Sequence, residues 1–277
     1  MVRIVTDSAS DIPAEVAKEL QITVIPMYVR FGTEVYRDGV DLSTDEFYRK
    51  LIASRTVPTT SSPKMKDFAE VYERLAEETD EILSIHLSST FSSAYETAVR
   101  ASGRIKRECH VEVVDSRTAA MGLGLAVMAA ARQAQEGRRT QQIVKMVKEV
   151  APRARVYVCF ETLEYLRRGG RIGKAESLLG SPIKVHPIIG LENGEVKPLG
   201  RERSRTRALD RLCRLAEECA DVSSIAVEQG AAPNEADRLH SKLAAIFPGK
   251  DICLSVFGSA VAVHTGPRVV GVCMLGG

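Results

Sequence analysis

Residues 2–11 read VRIVTDSASD, an apolar stretch followed directly by a cluster of small polar residues. Two later stretches repeat this order, because the apolar residues 81–87 and 111–114 precede the polar runs SSTFSS (88–93) and DSRT (115–118). Amphipathic stretches typical of helices separate the three. Strands that alternate with helices in this way predict parallel βαβ units.

These polar clusters are expected to lie along one crevice. In parallel open sheets, ligands bind at the carboxyl ends of the strands, where helix N-termini offer free N–H groups. Each cluster stands between a predicted strand and a predicted helix, so all three should face the same edge of the sheet.

The second half of the chain has a different pattern, with more strands and fewer helices. The pair Asn193-Gly194 lies between two of these strands and predicts a hairpin, because both turn positions need a positive φ. Helices are predicted near residues 205–219 and 234–246. The predicted strands cover residues 156–160, 183–191, 196–199, 223–227, 252–257 and 269–275.

Together the patterns predict an α/β protein of two domains. Residues 1–151 would form an N-terminal parallel-sheet α/β domain. Residues 152–277 would form a smaller C-terminal α+β domain with a largely antiparallel sheet, and a ligand would occupy the crevice between the two. The length of 277 residues is consistent with two domains.

Composition narrows the class of protein. A formal net charge of +2 gives no reason to expect nucleic-acid binding. The six cysteines form no CxxC pair, which favours reduced thiols over a metal site. With no signal-peptide pattern and no apolar run of about 20 residues, we expect a cytoplasmic protein without a membrane-spanning segment.

Hydroxyl side chains dominate two of the candidate ligand loops. The run TTSS (59–62) precedes Pro63 and an amphipathic pattern, so Ser62 is predicted to cap a helix that has Pro63 at its first position. Capping does not explain four consecutive hydroxyl residues, which would also suit a carboxylate or a phosphate. The loop 88–93 offers a second such group, and His264 lies on a predicted tight loop where its imidazole could bond the same anion.

Two basic segments do not belong to the predicted core. Residues 166–172 read LRRGGRI, and a solvated turn explains them as well as an anion site does. Residues 197–214 hold seven Lys or Arg against two acids, an excess that indicates a partner carrying phosphate or carboxylate groups.

The ordered motifs of this chain resemble those of the DegV family of fatty-acid-binding proteins, and the match runs nearly end to end. The motifs are VTDSASDIP (5–13), YRDGVDL (36–42), TSSP (60–63), SSTFSS (88–93), DS (115–116), LEYLRRGGRI (163–172) and HTGP (264–267).

The resemblance implies a ligand site at the junction of two domains, with an acyl chain buried between them. Thr60 and Ser61 match the family's carboxylate-binding pair, Ser92 the serine of its second loop, and His264 the histidine of its C-terminal loop. Arg171 matches an arginine near the ligand head group.

The resemblance also implies a non-catalytic role that needs no cofactor other than the bound fatty acid. Arg203 lies in the segment that, in members serving a fatty acid kinase, contacts the kinase. The partner phosphorylates the bound fatty acid to an acyl phosphate. The chain departs from the family at Ser62, where glutamine is usual, and at Ser93 and Arg268, where glycine is usual.

Three other classes remain as alternatives. A hydrolase acting on an acyl ester would use a loop serine, His264 as base, and Asp7 or Asp115 to orient it, but no Gly-x-Ser-x-Gly elbow is present. A metal site would need oxygens from four acids, Asp7, Asp11, Asp38 and Asp41, whose spacing fits no calcium loop. A nucleic-acid module using residues 201–214 would lack interleaved aromatic residues.

Overall fold

The structure is a computed structural model that describes residues 1–54, 56–180 and 185–276. The strands are β1 (Arg3–Asp7), β2 (Ile22–Ile25), β3 (Tyr28–Phe31), β4 (Glu34–Arg37), β5 (Thr59–Ser61), β6 (Glu81–His86), β7 (His110–Asp115), β8 (Arg155–Cys159), β9 (His186–Glu192), β10 (Glu195–Glu202), β11 (Val222–Gly230), β12 (Ile252–Val256) and β13 (Val269–Gly276).

Helices pack on these strands, and short 3₁₀ turns cover Ser8–Ser10, Ala151–Arg153 and Gly173–Leu178. The α-helices are α1 (Ala14–Glu19), α2 (Thr44–Ala53), α3 (Met65–Leu75), α4 (Ala94–Ser102), α5 (Ala120–Gln135), α6 (Thr140–Val150), α7 (Glu164–Arg168), α8 (Arg205–Glu217), α9 (Pro233–Ile246) and α10 (Ser259–Thr265).

The first half of the chain builds a four-stranded sheet in the order β2-β1-β6-β7, with every pair parallel. The predicted strands β1, β6 and β7 are confirmed to within about a residue at each end. The sequence pattern did not reveal β2, because this strand is short and only its first and last residues, Ile22 and Ile25, are buried.

The second half builds a six-stranded sheet in the order β10-β9-β8-β13-β11-β12, antiparallel except for the pair β11 and β12. The predicted hairpin is confirmed, since Asn193 and Gly194 have φ of 49° and 77° and join β9 to β10. The strand predicted from residue 183 begins at His186, and residues 181–184 lie outside the described residues.

A small antiparallel sheet, β4-β3-β5, was not predicted. Its strand β5 contains Thr60, which pairs with Val29 of β3. The prediction that Ser62 caps a helix is therefore wrong: the hydroxyl run is extended, and α3 begins at Met65 after the N-cap Lys64. The backbone of residues 59–61 pairs with β3, so the hydroxyl side chains of these residues do not cap α3.

Helix α5 joins the two larger sheets into one continuous core. It packs on β1 as well as on β8, β11 and β13. Two glycines allow the close approach: a Cβ at Gly124 would lie 2.5 Å from the carbonyl oxygen of Ser10, and one at Gly122 would lie 2.6 Å from Cγ2 of Val156. The mixed α/β fold is as predicted, whereas the division at residues 151 and 152 stays a prediction.

Candidate functional site

A cavity of about 320 Å³ lies where the three sheets meet. Its wall includes Ala9 after β1 and Leu87 after β6, so the crevice at the carboxyl ends of the parallel strands forms part of it. All five residues predicted to hold a ligand line this cavity: Thr60, Ser61, Ser92, Arg171 and His264.

The rest of the wall is mostly apolar. Period-two alternation along β8 and β9 presents every second side chain to the cavity. This signal was available in the sequence, yet the wall residues were not singled out from it. They include Val156, Val158, Phe160, Ile189, Leu191, Val196, Leu166, Phe257 and Met27.

Thr60 and His264 meet at the polar part of the wall. The Thr60 hydroxyl oxygen lies 2.9 Å from Nε2 of His264. Burial, with a smaller effect from the charge of Arg171, lowers the pKa of His264 to about 4, so its imidazole is neutral at pH 7. A neutral imidazole carries one N–H, and the hydrogen-bond partners decide which nitrogen has it.

The other ring nitrogen of His264, Nδ1, is buried and has no hydrogen-bond partner among the described residues. It lies against Gly169, where an added Cβ would come within 2.2 Å of it. Because an orphaned buried N–H is rarer than an orphaned acceptor, the proton is placed on Nε2. The imidazole then donates to Thr60, whose own hydroxyl proton is free for another acceptor.

His264 was predicted on a tight loop, and that prediction is wrong. It lies in the last turn of α10, and the apolar run before it forms the body of this helix. Three of the four residues 260–263 are buried in the core. This burial explains why a segment of small and β-branched residues folds as a helix.

The serines of the second loop, Ser92 and Ser93, also line the cavity. The Ser92 hydroxyl accepts a hydrogen bond from the Ala94 N–H at 3.2 Å, at the start of α4, as the predicted loop-to-helix order requires. The hydroxyls of Ser62 and Ser93 lie 2.8 Å apart. Two of the three departures from the family pattern therefore contact each other.

Arg171 lines the cavity, but most of its donors are already bonded. Its Nε and Nη2 donate to the carbonyl oxygen of Phe91 at 3.2 and 2.9 Å, and Nη1 donates to that of Gly169 at 2.6 Å. The guanidinium thus joins the loop after β6 to the turn after α7, and its charge remains close to His264.

Comparison with known proteins places this arrangement in a family. A family profile described as "Uncharacterised protein, DegV family" matches residues 1–276. The chain belongs to the DegV family. A DegV domain-containing protein of Streptomyces coelicolor is 38% identical over 275 residues, which cover 98% of this chain and 97% of the relative.

Solved DegV structures have the same fold. The Bacillus subtilis protein, described as "DegV, a fatty acid binding protein", superposes with a TM-score of 0.90 at 30% identity and covers 100% of this chain and 99% of its own. A Thermus thermophilus DegV family protein, reported for its fatty acid binding, gives 0.89 at 30% identity and 99% coverage of both chains.

In this DegV chain the acids considered for a hydrolase do not contact His264. Asp7 Oδ2 bonds Nδ1 of His86 at 2.9 Å and also accepts from the Leu87 N–H. Asp115 accepts from the Ser89 hydroxyl at 2.6 Å and organises the loop that contains Ser92. These two acids hold the DegV loops in place.

The other residues considered for a partner surface or a metal site do not line the cavity. Arg203 is exposed in the turn between β10 and α8 and does not line the cavity. Asp41 pairs with Arg37 on the surface. Within the described residues, no three His, Cys, Asp or Glu side chains converge as metal ligands, and no helix is long and apolar enough to cross a bilayer.

Proposed function

We propose that this DegV protein binds a long-chain fatty acid, with the carboxylate at Thr60, Ser61, Ser92 and Arg171 and the acyl chain along the apolar wall. The observation that carries the proposal is a cavity with one polar part and an otherwise apolar lining. Its volume falls within the usual range of small-molecule sites. The solved relatives described as fatty-acid-binding share both fold and family.

Two contributions to the binding free energy favour such a ligand. Each buried methylene contributes about 0.8 kcal/mol, so an acyl chain gains affinity in proportion to the wall that it covers. A carboxylate buried without partners would be very costly, and the hydroxyl donors offset that cost.

His264 acts on the carboxylate through Thr60 in this proposal. With Nε2–H donated to the Thr60 oxygen, the threonine hydroxyl points its own proton toward the ligand, and the two bonds strengthen each other. A neutral imidazole keeps this direction across the physiological pH range.

We further infer that the protein presents its ligand to a kinase, which phosphorylates the carboxylate. Arg203 supports a separate docking surface, because it makes no hydrogen bond or ion pair with a described residue. It is also exposed, and it is not among the residues that line the cavity. Arg203 can thus contact a partner without touching the fatty acid.

The protein itself is proposed to be non-catalytic. A serine nucleophile needs an oriented base, yet Nδ1 of His264 has no carboxylate partner among the described residues. Incubation with a fluorophosphonate tests this: we expect no serine to be labelled, and stoichiometric labelling of Ser92 or Ser61 would show a hydrolase instead.

The proposed location is the cytoplasm. All six cysteines are free thiols, and most of them are partly or fully buried, as expected in a reducing compartment.

Native mass spectrometry of the purified protein, followed by denaturation, tests the binding function. We expect a co-purified fatty acid at close to one molecule per chain. An empty protein that also fails to take up added palmitate would contradict the proposal.

A further inference from the structure

Two carboxyl groups meet at the buried junction of the larger sheets. Asp11 follows β1 and Glu228 lies on β11, with exposures of 8% and 0%. Ser255, the residue of β12 that pairs with Glu228, donates its hydroxyl to the carbonyl oxygen of Asp11, so the two carboxyl groups are neighbours. Neither Asp11 Oδ2 nor Glu228 Oε1 has a hydrogen-bond partner among the described residues. Two neighbouring buried carboxyl groups do not both ionise readily, because their like charges repel, so the pair holds at least one proton.

The surroundings of the pair favour retention of that proton. Burial, followed by the nearby charges of Glu228 and Asp38, raises the pKa of Asp11 well above its usual value, and burial raises the pKa of Glu228 to about 7. The other titratable groups that face the pair are Asp38 after β4, Tyr48 on α2, Cys273 on β13 and Cys253 on β12, which is itself close to Arg132 of α5.

Asp11 forms hydrogen bonds with the residues at and just before the start of α10. Its Oδ1 accepts a hydrogen bond from the Gly258 N–H at 3.0 Å, and its carbonyl oxygen accepts one from the Ser255 hydroxyl. Asp38 accepts from the next two N–H groups, those of Ser259 and Ala260, at 3.2 and 3.3 Å. Helix α10 in turn brings Ala260, Val261 and His264 to the cavity wall.

Glu228 forms a hydrogen bond with the start of α5. Its Oε2 accepts from the Met121 N–H at 3.3 Å and from the Cys273 thiol at 3.5 Å. The residues just before Met121, Ala119 and Ala120, also line the cavity. One pair of carboxyl groups therefore connects the two helix starts that form opposite parts of the wall.

We propose that Asp11 and Glu228 are positioning residues whose shared proton holds α10 and α5 together, so that loss of the proton weakens binding in the cavity. This inference rests on the proposed fatty-acid function. With both groups ionised, two buried like charges repel each other, and the helix starts that they hold move apart. The hydroxyl of Thr60 would then lose its alignment with His264.

The test is the pH dependence of binding, measured by calorimetry with palmitate and with hexadecanesulfonate. The sulfonate stays anionic throughout, and His264 is neutral above its pKa of about 4, so any change is not caused by either of them. We expect the affinity of the unchanged protein for both ligands to fall about tenfold between about pH 6 and pH 9, the equivalent of one pKa unit.

Glu228→Gln keeps the shape of the side chain and an oxygen that accepts from the Met121 N–H, but it cannot ionise. We expect it to bind both ligands with nearly constant affinity over the same range. Asp11→Asn, which tolerates the φ of 52° at this position, provides a second variant if the first does not fold. Glu112→Gln, on the surface strand β7, is the matched control and should keep the tenfold fall.

Infrared difference spectra of the ligand-free protein test the shared proton directly. We expect a protonated-carboxyl band at neutral pH that weakens toward about pH 9, and we expect this weakening to be absent from Glu228→Gln. The same weakening of the band with pH in the variant, or equal pH slopes of affinity in the variant and the unchanged protein, would overturn the inference. Failure of both ligands to bind at any pH would instead contradict the proposed function, while the spectra still decide on the pair.

Discussion

Thr60 and His264 lie 204 residues apart in the chain, yet Oγ1 of the first and Nε2 of the second are 2.9 Å apart. Strand β5 and helix α10 make this contact in the wall of the cavity. The pair is one of several contacts between the two parts of the chain that the sequence predicts as separate domains.

Replacement of Thr60 or Ser92 by alanine should weaken fatty-acid binding by about 1 to 3 kcal/mol, the usual effect of losing a hydrogen bond to a charged group. Calorimetry measures the change. Ser102→Ala is the control, because this exposed serine bonds only within its own helix. Unchanged affinity in both cavity variants would remove them from the head-group site.

The unfolding free energy should fall as pH drops from about 6.5 toward 4, because His264 must gain a proton in a buried place. Its folded pKa is lowered to about 4, so the unfolded chain binds more protons in this window and stability rises with pH. Urea unfolding at several pH values measures the slope. His264→Gln should show a shallower slope, and an identical slope would contradict the assignment.

Gly169→Ala should weaken ligand binding, because the added Cβ would lie 2.2 Å from Nδ1 of His264 and must displace the ring. Gly103→Ala is the matched control, since nothing lies within 4 Å of the Cβ that it adds. The two variants are compared by palmitate affinity. Equal affinities would mean that the ring position does not matter for binding.

Arg203→Glu should leave palmitate affinity unchanged and slow phosphorylation of the bound fatty acid by the partner kinase. A reversed charge on a docking surface lowers the association rate most at low salt. Arg153→Glu makes the same charge change on the exposed turn after α6. Loss of lipid binding in Arg203→Glu would assign the basic segment to the cavity.

The sequence predicted the elements best where the local pattern is strong. Strands β6 and β7 contain several Ile and Val residues, which favour strands, and Asn193-Gly194 needs a positive φ that only a few residues adopt readily. It failed at β5 and α10, where hydroxyl and small residues have weak preferences and long-range pairing with β3 and the core decides the structure.

The order of motifs along the chain determined the family, the fold class and the five residues expected near a carboxylate. Only the tertiary structure decided that Asp7 and Asp115 serve their own loops, that Nδ1 of His264 faces Gly169, and that Asp11 meets Glu228. The physical reason is that hydrogen bonds and burial act over a few ångströms, whereas these partners lie tens to hundreds of residues apart in the chain.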